Sequence, residues 1–125
     1  MKNLILLFLA ALISTTALAQ TSELKKIIDE RADEIEQQVI EWRRHFHENP
    51  ELSNREFETA EYIADYLNEL GLEVETGVAK TGVVALLKGG KPGPVIGLRA
   101  DIDALPVTER TDVPFKSVAT GMYNG

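Results

Sequence analysis

Arg99, Asp101 and Asp103 occupy every second position of the stretch GLRADIDALP, residues 97–106, directly behind the apolar run Val95-Ile96-Gly97-Leu98 and ahead of Pro106. On a β-strand alternate side chains share a face, so this spacing puts a guanidinium and two carboxylates on one side and Leu98, Ala100 and Ile102 on the other. At roughly 3.3 Å per residue the two carboxylates stand about 7 Å apart. That is too far to share one proton and suits two groups bracketing a common site. In open α/β sheets ligands lie beyond the carboxyl ends of the strands, and an aspartate there can orient a metal-ligating side chain or ligate directly. An exposed edge strand whose Arg99–Asp101 pair does no more than solubilise is the competing reading. Spacing alone leaves both open.

Other chemistries find less support. His45 and His47 stand two apart on a helical stretch, where their side chains point about 200° away from each other, so they do not grip one ion. They read as a satisfied helix-end pair, and Glu41, Glu58 and Glu61 as solvated helix faces. The loop Gly89-Gly90-Lys91-Pro92-Gly93-Pro94 lacks the spacing of a phosphate-binding loop, and no serine sits in a G-x-S-x-G elbow. Without cysteine the chain has neither thiol chemistry nor disulfides. Twenty acidic residues against 13 basic ones give a net charge of −7, which argues against nucleic acid as a partner, since phosphate binding needs a basic patch.

Several elements must position these residues. Residues 1–19 carry Lys2, an apolar run and the small-x-small site Ala17-Leu18-Ala19, the layout of a secretory signal peptide. The apolar stretch is too short for a stable membrane span, and export to the periplasm or the exterior is the expectation. From residue 22 to about 48, Leu24, Ile28, Ala32, Ile35, Val39, Trp42 and Phe46 recur at helical spacing, with Ser22 as the cap and Asn49-Pro50 as the stop. This stripe is expected to dock on a sheet. Ser53-Asn54-Arg55-Glu56 has the form of a capping box ahead of a second helix with Phe57, Ala60, Ala64, Leu67 and Leu70 on its apolar face, closed by Gly71. Residues 72–76 alternate as a strand. Residues 81–87 and 94–103 read as two further strands joined by the glycine- and proline-rich loop. Helices, then strands, with no repeat or linker, indicate an α/β domain. An apolar strand such as residues 95–98 needs cover on both faces, and two helices can hardly supply it, so the chain reads as cut rather than finished.

In their order, RRHFHENPELSNREFETAEYIADYLNELGLEV, TGVVALLKGGKPGPVIGLRADIDALPVTE and PFKS resemble the N-terminal part of bacterial and plant N-acyl-amino-acid amidohydrolases. These form the hippurate hydrolase and indole-acetyl-amino-acid hydrolase branch of the zinc aminoacylase and carboxypeptidase superfamily. The resemblance extends from Leu24 to Gly125, with HENPELS and RADIDALPV its most specific motifs.

The resemblance implies residues 20–125 as the N-terminal portion of a zinc-exopeptidase-like three-layer α/β catalytic domain. It also implies two divalent metal ions, zinc, manganese or similar, an activated water attacking an amide carbonyl, and a glutamate base. The substrate would be a small N-acyl amino acid or peptide, and homodimers would form through an inserted domain absent here. In that family the metal ligands come from a Cys-Gly-His-Asp segment and later positions, so no residue of this chain is assigned as a ligand with certainty, and the chain alone is expected to be inactive. In the wider superfamily the strand end reads His-x-Asp. Asp101 stands at the histidine position, where it would orient a ligating side chain or ligate itself, and Asp103 matches the aspartate that positions the metal shell. Arg99 is structural at the site. Alternatives are a dipeptidase or carboxypeptidase of the same superfamily, or a short secreted non-catalytic binding module if Gly125 is the true end.

Overall fold

The computed structural model describes residues 2–121, with side chains from residue 23 onward. The chain divides into two compact units, Met1–Trp42 and Arg43–Gly125, and the boundary falls inside the first helix, α1 (Lys2–Glu48). Ser22 therefore lies within a continuous helix and does not cap one. The expected signal peptide has its side chains outside the described residues. Among the described residues no helix is long and apolar enough to cross a membrane.

In the first unit, α1 carries the ion pairs Lys25–Asp29 (3.0 Å), Lys26–Glu30 (3.7 Å) and Arg31–Glu34 (2.6 Å) at helical spacing. Each adds a few tenths of a kcal/mol, roughly 0.3–0.5, to an exposed helix. Of the stripe expected to dock on a sheet, Leu24, Ile28, Ala32, Ile35 and Val39 are exposed, whereas Trp42 and Phe46 are half-buried.

The second unit contains the last turn of α1, helix α2 (Phe57–Glu69) and an antiparallel hairpin of β1 (Glu73–Val78) and β2 (Gly82–Leu86). α2 packs on both strands through Thr59, Ala60 and Ala64, which are buried, and Ile63 and Leu67, which are half-buried. Small residues at Ala60 and Ala64 let the helix lie close to the sheet. The apolar face is narrower than expected, because Phe57 and Leu70 are exposed.

The helix ends are instructive. At the C-terminus, Gly71 N–H donates to the Asn68 carbonyl (2.8 Å) and Leu72 N–H to the Leu67 carbonyl (3.2 Å), the pair of bonds that defines a Schellman cap. Gly71 adopts φ +77° there, a conformation that an L side chain resists. At the N-terminus, the expected Ser53 capping box does not form. The Glu51 carboxylate takes the free amides of Glu58 (3.3 Å) and Thr59 (2.7 Å) instead. Glu56 turns inward, accepting from the Asn54 amide (2.9 Å) and the Thr81 hydroxyl (2.7 Å). The Thr81 bond, with backbone amides helping, holds the Glu56 carboxyl below its ordinary pKa against the opposing pull of burial.

The hairpin is also not the expected one. The turn follows β1, with Ala79 (φ 50°) and Lys80 (φ 98°) at positive φ and Gly77 bulged out of register. Gly82 is required at the start of β2, because a Cβ there would lie 2.5 Å from the Val78 carbonyl oxygen. The strand expected over residues 94–103 does not form, and Val95, Ile96 and Leu98 are 93%, 80% and 96% exposed. β2 is paired with β1, and no further strand lies among the described residues to receive residues 94–103. A β-branched run adopts a strand only where a ladder accepts its amides and carbonyls.

Candidate functional site

Arg99, Asp101 and Asp103 lie on a stretch that joins no strand among the described residues, so no sheet face gathers them. Arg99 Nη2 donates to Asp101 Oδ1 at 2.9 Å, with the two side chains 89% and 73% exposed, a pair that contributes little to stability. Asp103 is exposed and stands one residue before Ala104. At Ala104 the stretch is pinned. Ala104 N–H donates to the Glu51 carbonyl at 2.7 Å, and Leu52 and Ala104 form an isolated parallel bridge. HENPELS and RADIDALPV are thereby brought side by side.

A second tie lies five residues on. His47 Nε2 stands 2.6 Å from Glu109 Oε2. An ionised carboxylate only accepts, so the proton is on Nε2. Glu109 Oε1 accepts from both the amide (2.8 Å) and the hydroxyl (2.7 Å) of Thr111. The Thr111 bonds, followed by His47, pull the Glu109 carboxyl from its ordinary 4.5 down to about 2. The His47 ring meets Phe115 edge-on at 5.6 Å, and Arg44 and Arg43 stand 5.1 and 6.0 Å from the same ring, within cation–π reach. All three motif segments, HENPELS, RADIDALPVTE and PFKS, therefore meet around His47 and Ala104.

His45 turns the other way. It stacks on Tyr62 at 4.4 Å and 23°, and Phe46 meets the same ring edge-on. The two histidines thus serve different partners, as their helical spacing implies. Beside His45 an open depression of about 410 Å³ is rimmed by Glu58, Glu61 and Asp65. The described residues do not fit a metal centre of their own: among them no group of three or more His, Asp or Glu could hold an ion. Sequence reasoning missed Glu109 and Glu51. They stand 62 residues from His47 and seven and eight from the amides that Glu51 caps, and no local pattern links such positions.

The chain is 52% identical over 92 residues to thermostable carboxypeptidase 2 of Saccharolobus solfataricus, covering 73% of this chain and 23% of that protein. It is 45% identical over 103 residues to the putative amidohydrolase YhaA of Bacillus subtilis, 82% of this chain and 26% of that one. With the N-acetyl-L-cysteine deacetylase of B. subtilis it shares 48% over 90 residues, 72% and 22% of the respective chains. The chain is a homologue of these hydrolases. Among solved structures, B. subtilis YXEP, described as a dinuclear metal binding peptidase from the M20 family, superimposes with a TM-score of 0.65 at 46% identity, over 71% of this chain and 25% of that one. No family model matches the chain. The chain spans about a quarter of the length of the curated relatives it matches.

Proposed function

We propose that the protein of which these residues form the described part hydrolyses the amide bond of small N-acyl amino acids. Water adds across the bond, the C–N bond breaks, and a carboxylic acid and a free amino acid leave. The observation that carries this reading is the meeting of HENPELS, RADIDALPVTE and PFKS around His47 and Ala104, in a chain about half identical to an N-acetyl-L-cysteine deacetylase and a carboxypeptidase. Two divalent ions, zinc, manganese or a similar metal, belong to the reading. The described residues supply no ligand set for them, so the ligands would come from elsewhere in the protein. The part left to this chain is positional, with Asp103 holding the orientation of groups around the reacting centre, Asp101 beside it, and Arg99 fixing Asp101 through their ion pair. Export through a signal peptide and a homodimeric assembly complete the proposal.

A carboxypeptidase or dipeptidase activity is the second reading, favoured by the 52% identity to a carboxypeptidase. The test is amine release from N-acetyl, N-benzoyl and dipeptide substrates by the metal-loaded protein. Release from N-acyl amino acids supports the proposal. Cleavage of dipeptides alone selects the second reading, and no release from any of them with zinc or manganese bound overturns both.

A further inference from the structure

The stretch from residue 87 to 121 contains no helix or strand among the described residues. Among the described residues its backbone-to-backbone amide bonds are those of Ala104 to Glu51, Val107 to Leu105 and Lys116 to Val113, and of these the Ala104 bond reaches outside the stretch. Asp103 precedes it directly, so the position of Asp103 depends on how firmly Ala104 is held. Two side-chain attachments accompany this bridge, Lys88 to Glu73 near the start of the stretch and His47–Glu109 beyond Ala104, where the half-buried Glu109 carboxylate is also gripped by both Thr111 donors. His47 sits in the last turn of α1 and Glu51 just beyond its end, so the ties to Glu109 and Ala104 start from the same short segment. Phe115 rests against the His47 ring, limiting its rotation.

We propose that His47 and Glu109 are positioning residues, a clamp that together with the Ala104 bridge orients the stretch carrying Asp101 and Asp103. The kinetic part of this inference rests on the hydrolase reading above. Neither residue touches the reacting atoms. Both act through the backbone between 103 and 109, and a displacement of about 1 Å at a positioning group is enough to slow catalysis by up to about a hundredfold.

The test uses the metal-loaded full-length protein to which these residues belong and its variants His47→Ala, His47→Gln and Glu109→Gln, with amide hydrogen exchange at Ala104 and steady-state kinetics on N-acetyl amino acids. Glutamine at 47 retains an N–H that can reach the Glu109 carboxylate, so it serves as the rescue. His47→Ala is expected to speed Ala104 exchange on the order of tenfold and to lower kcat by about ten- to a hundredfold with KM within about twofold. His47→Gln is expected to recover most of both, and Glu109→Gln to fall between. Should His47→Ala not fold, Glu109→Gln against His47→Gln carries the same comparison. Unchanged Ala104 exchange in His47→Ala and Glu109→Gln overturns the clamp, as does a kcat loss that His47→Gln shares in full. If the parent protein hydrolyses none of the substrates, the hydrolase reading fails separately, and the clamp stands or falls on Ala104 exchange and its rescue alone.

Discussion

Residues 51–86 and residues 87–121 are of similar length and lie in the same unit, yet they are held by different means. In the first region a helix and a hairpin satisfy each other: α2 buries Ala60 and Ala64 against the strands, Glu51 and Gly71 close the helix ends, and Glu56 bonds across to Thr81. The second region carries Arg99, Asp101 and Asp103, has no ladder among the described residues, and is attached through Lys88, Ala104, Glu109 and Phe115. Among the described residues, the stretch that carries Asp101 and Asp103 pairs with no strand and is tied to the helix and hairpin by side chains and the Ala104 bridge.

Substitutions can break or sharpen this contrast. The largest effect is expected in the first region at Gly82. Its added Cβ would meet the Val78 carbonyl at 2.5 Å, so Gly82→Val displaces the hairpin and lowers the thermal midpoint more than Ala64→Leu, Gly71→Ala or Leu98→Ser. Ala64→Leu, at a position 5% exposed, is expected to destabilise by about 1–3 kcal/mol through overpacking, measurable by urea unfolding. Gly71→Ala follows at about 1–2 kcal/mol, the cost of a Cβ in the left-handed region. In the second region Leu98→Ser, at 96% exposure, is expected to change stability by less than about 0.5 kcal/mol. A large loss there would mean that residues 95–98 are packed after all.

The ties of the second region have a pH signature. Glu109 has its carboxyl pKa lowered from 4.5 to about 2 by Thr111 and His47. Its folded form therefore holds its proton less readily than the unfolded chain. The stability it contributes is fully present above about pH 4.5 and is lost as the pH falls toward 2. Glu56, shifted in the same direction by Thr81, adds to the same acid limb. Unfolding followed from pH 6 down to pH 2 (a range spanning the shift from about 4.5 to about 2) should show a limb that Glu109→Gln flattens in part. An unaltered limb in that variant would remove Glu109 from the account.

The contrast also marks what could be read from the residues. The second helix and its glycine stop were legible, because apolar spacing and a left-handed cap are local signals. Both strands of the hairpin were legible too, residues 72–76 against β1 and 81–87 against β2. The run Val95-Ile96-Gly97-Leu98 has strand composition but pairs with no strand among the described residues, because composition says nothing of whether a partner edge is present. The capping box at Ser53 failed because Glu51, outside the four-residue pattern, reached the helix amides first and freed Glu56 to face Thr81. Asp101 and Asp103 were found as chemistry-bearing types, but the groups that hold their stretch, His47 and Glu109, are joined only by the fold. The three-layer domain expected from the resemblance is represented by a helix on a hairpin, while the relationship to M20-type hydrolases holds at about half identity.

Among the described residues the motif-bearing stretch is pinned at Ala104 and pairs with no strand. Amide hydrogen exchange on this chain, residue by residue, tests that most directly. The account predicts a protected Ala104 amide, with Ile96 and Leu98 exchanging close to the rate of an open chain. Equal protection at all three would contradict it: the stretch would then be either a paired strand throughout or not pinned at all.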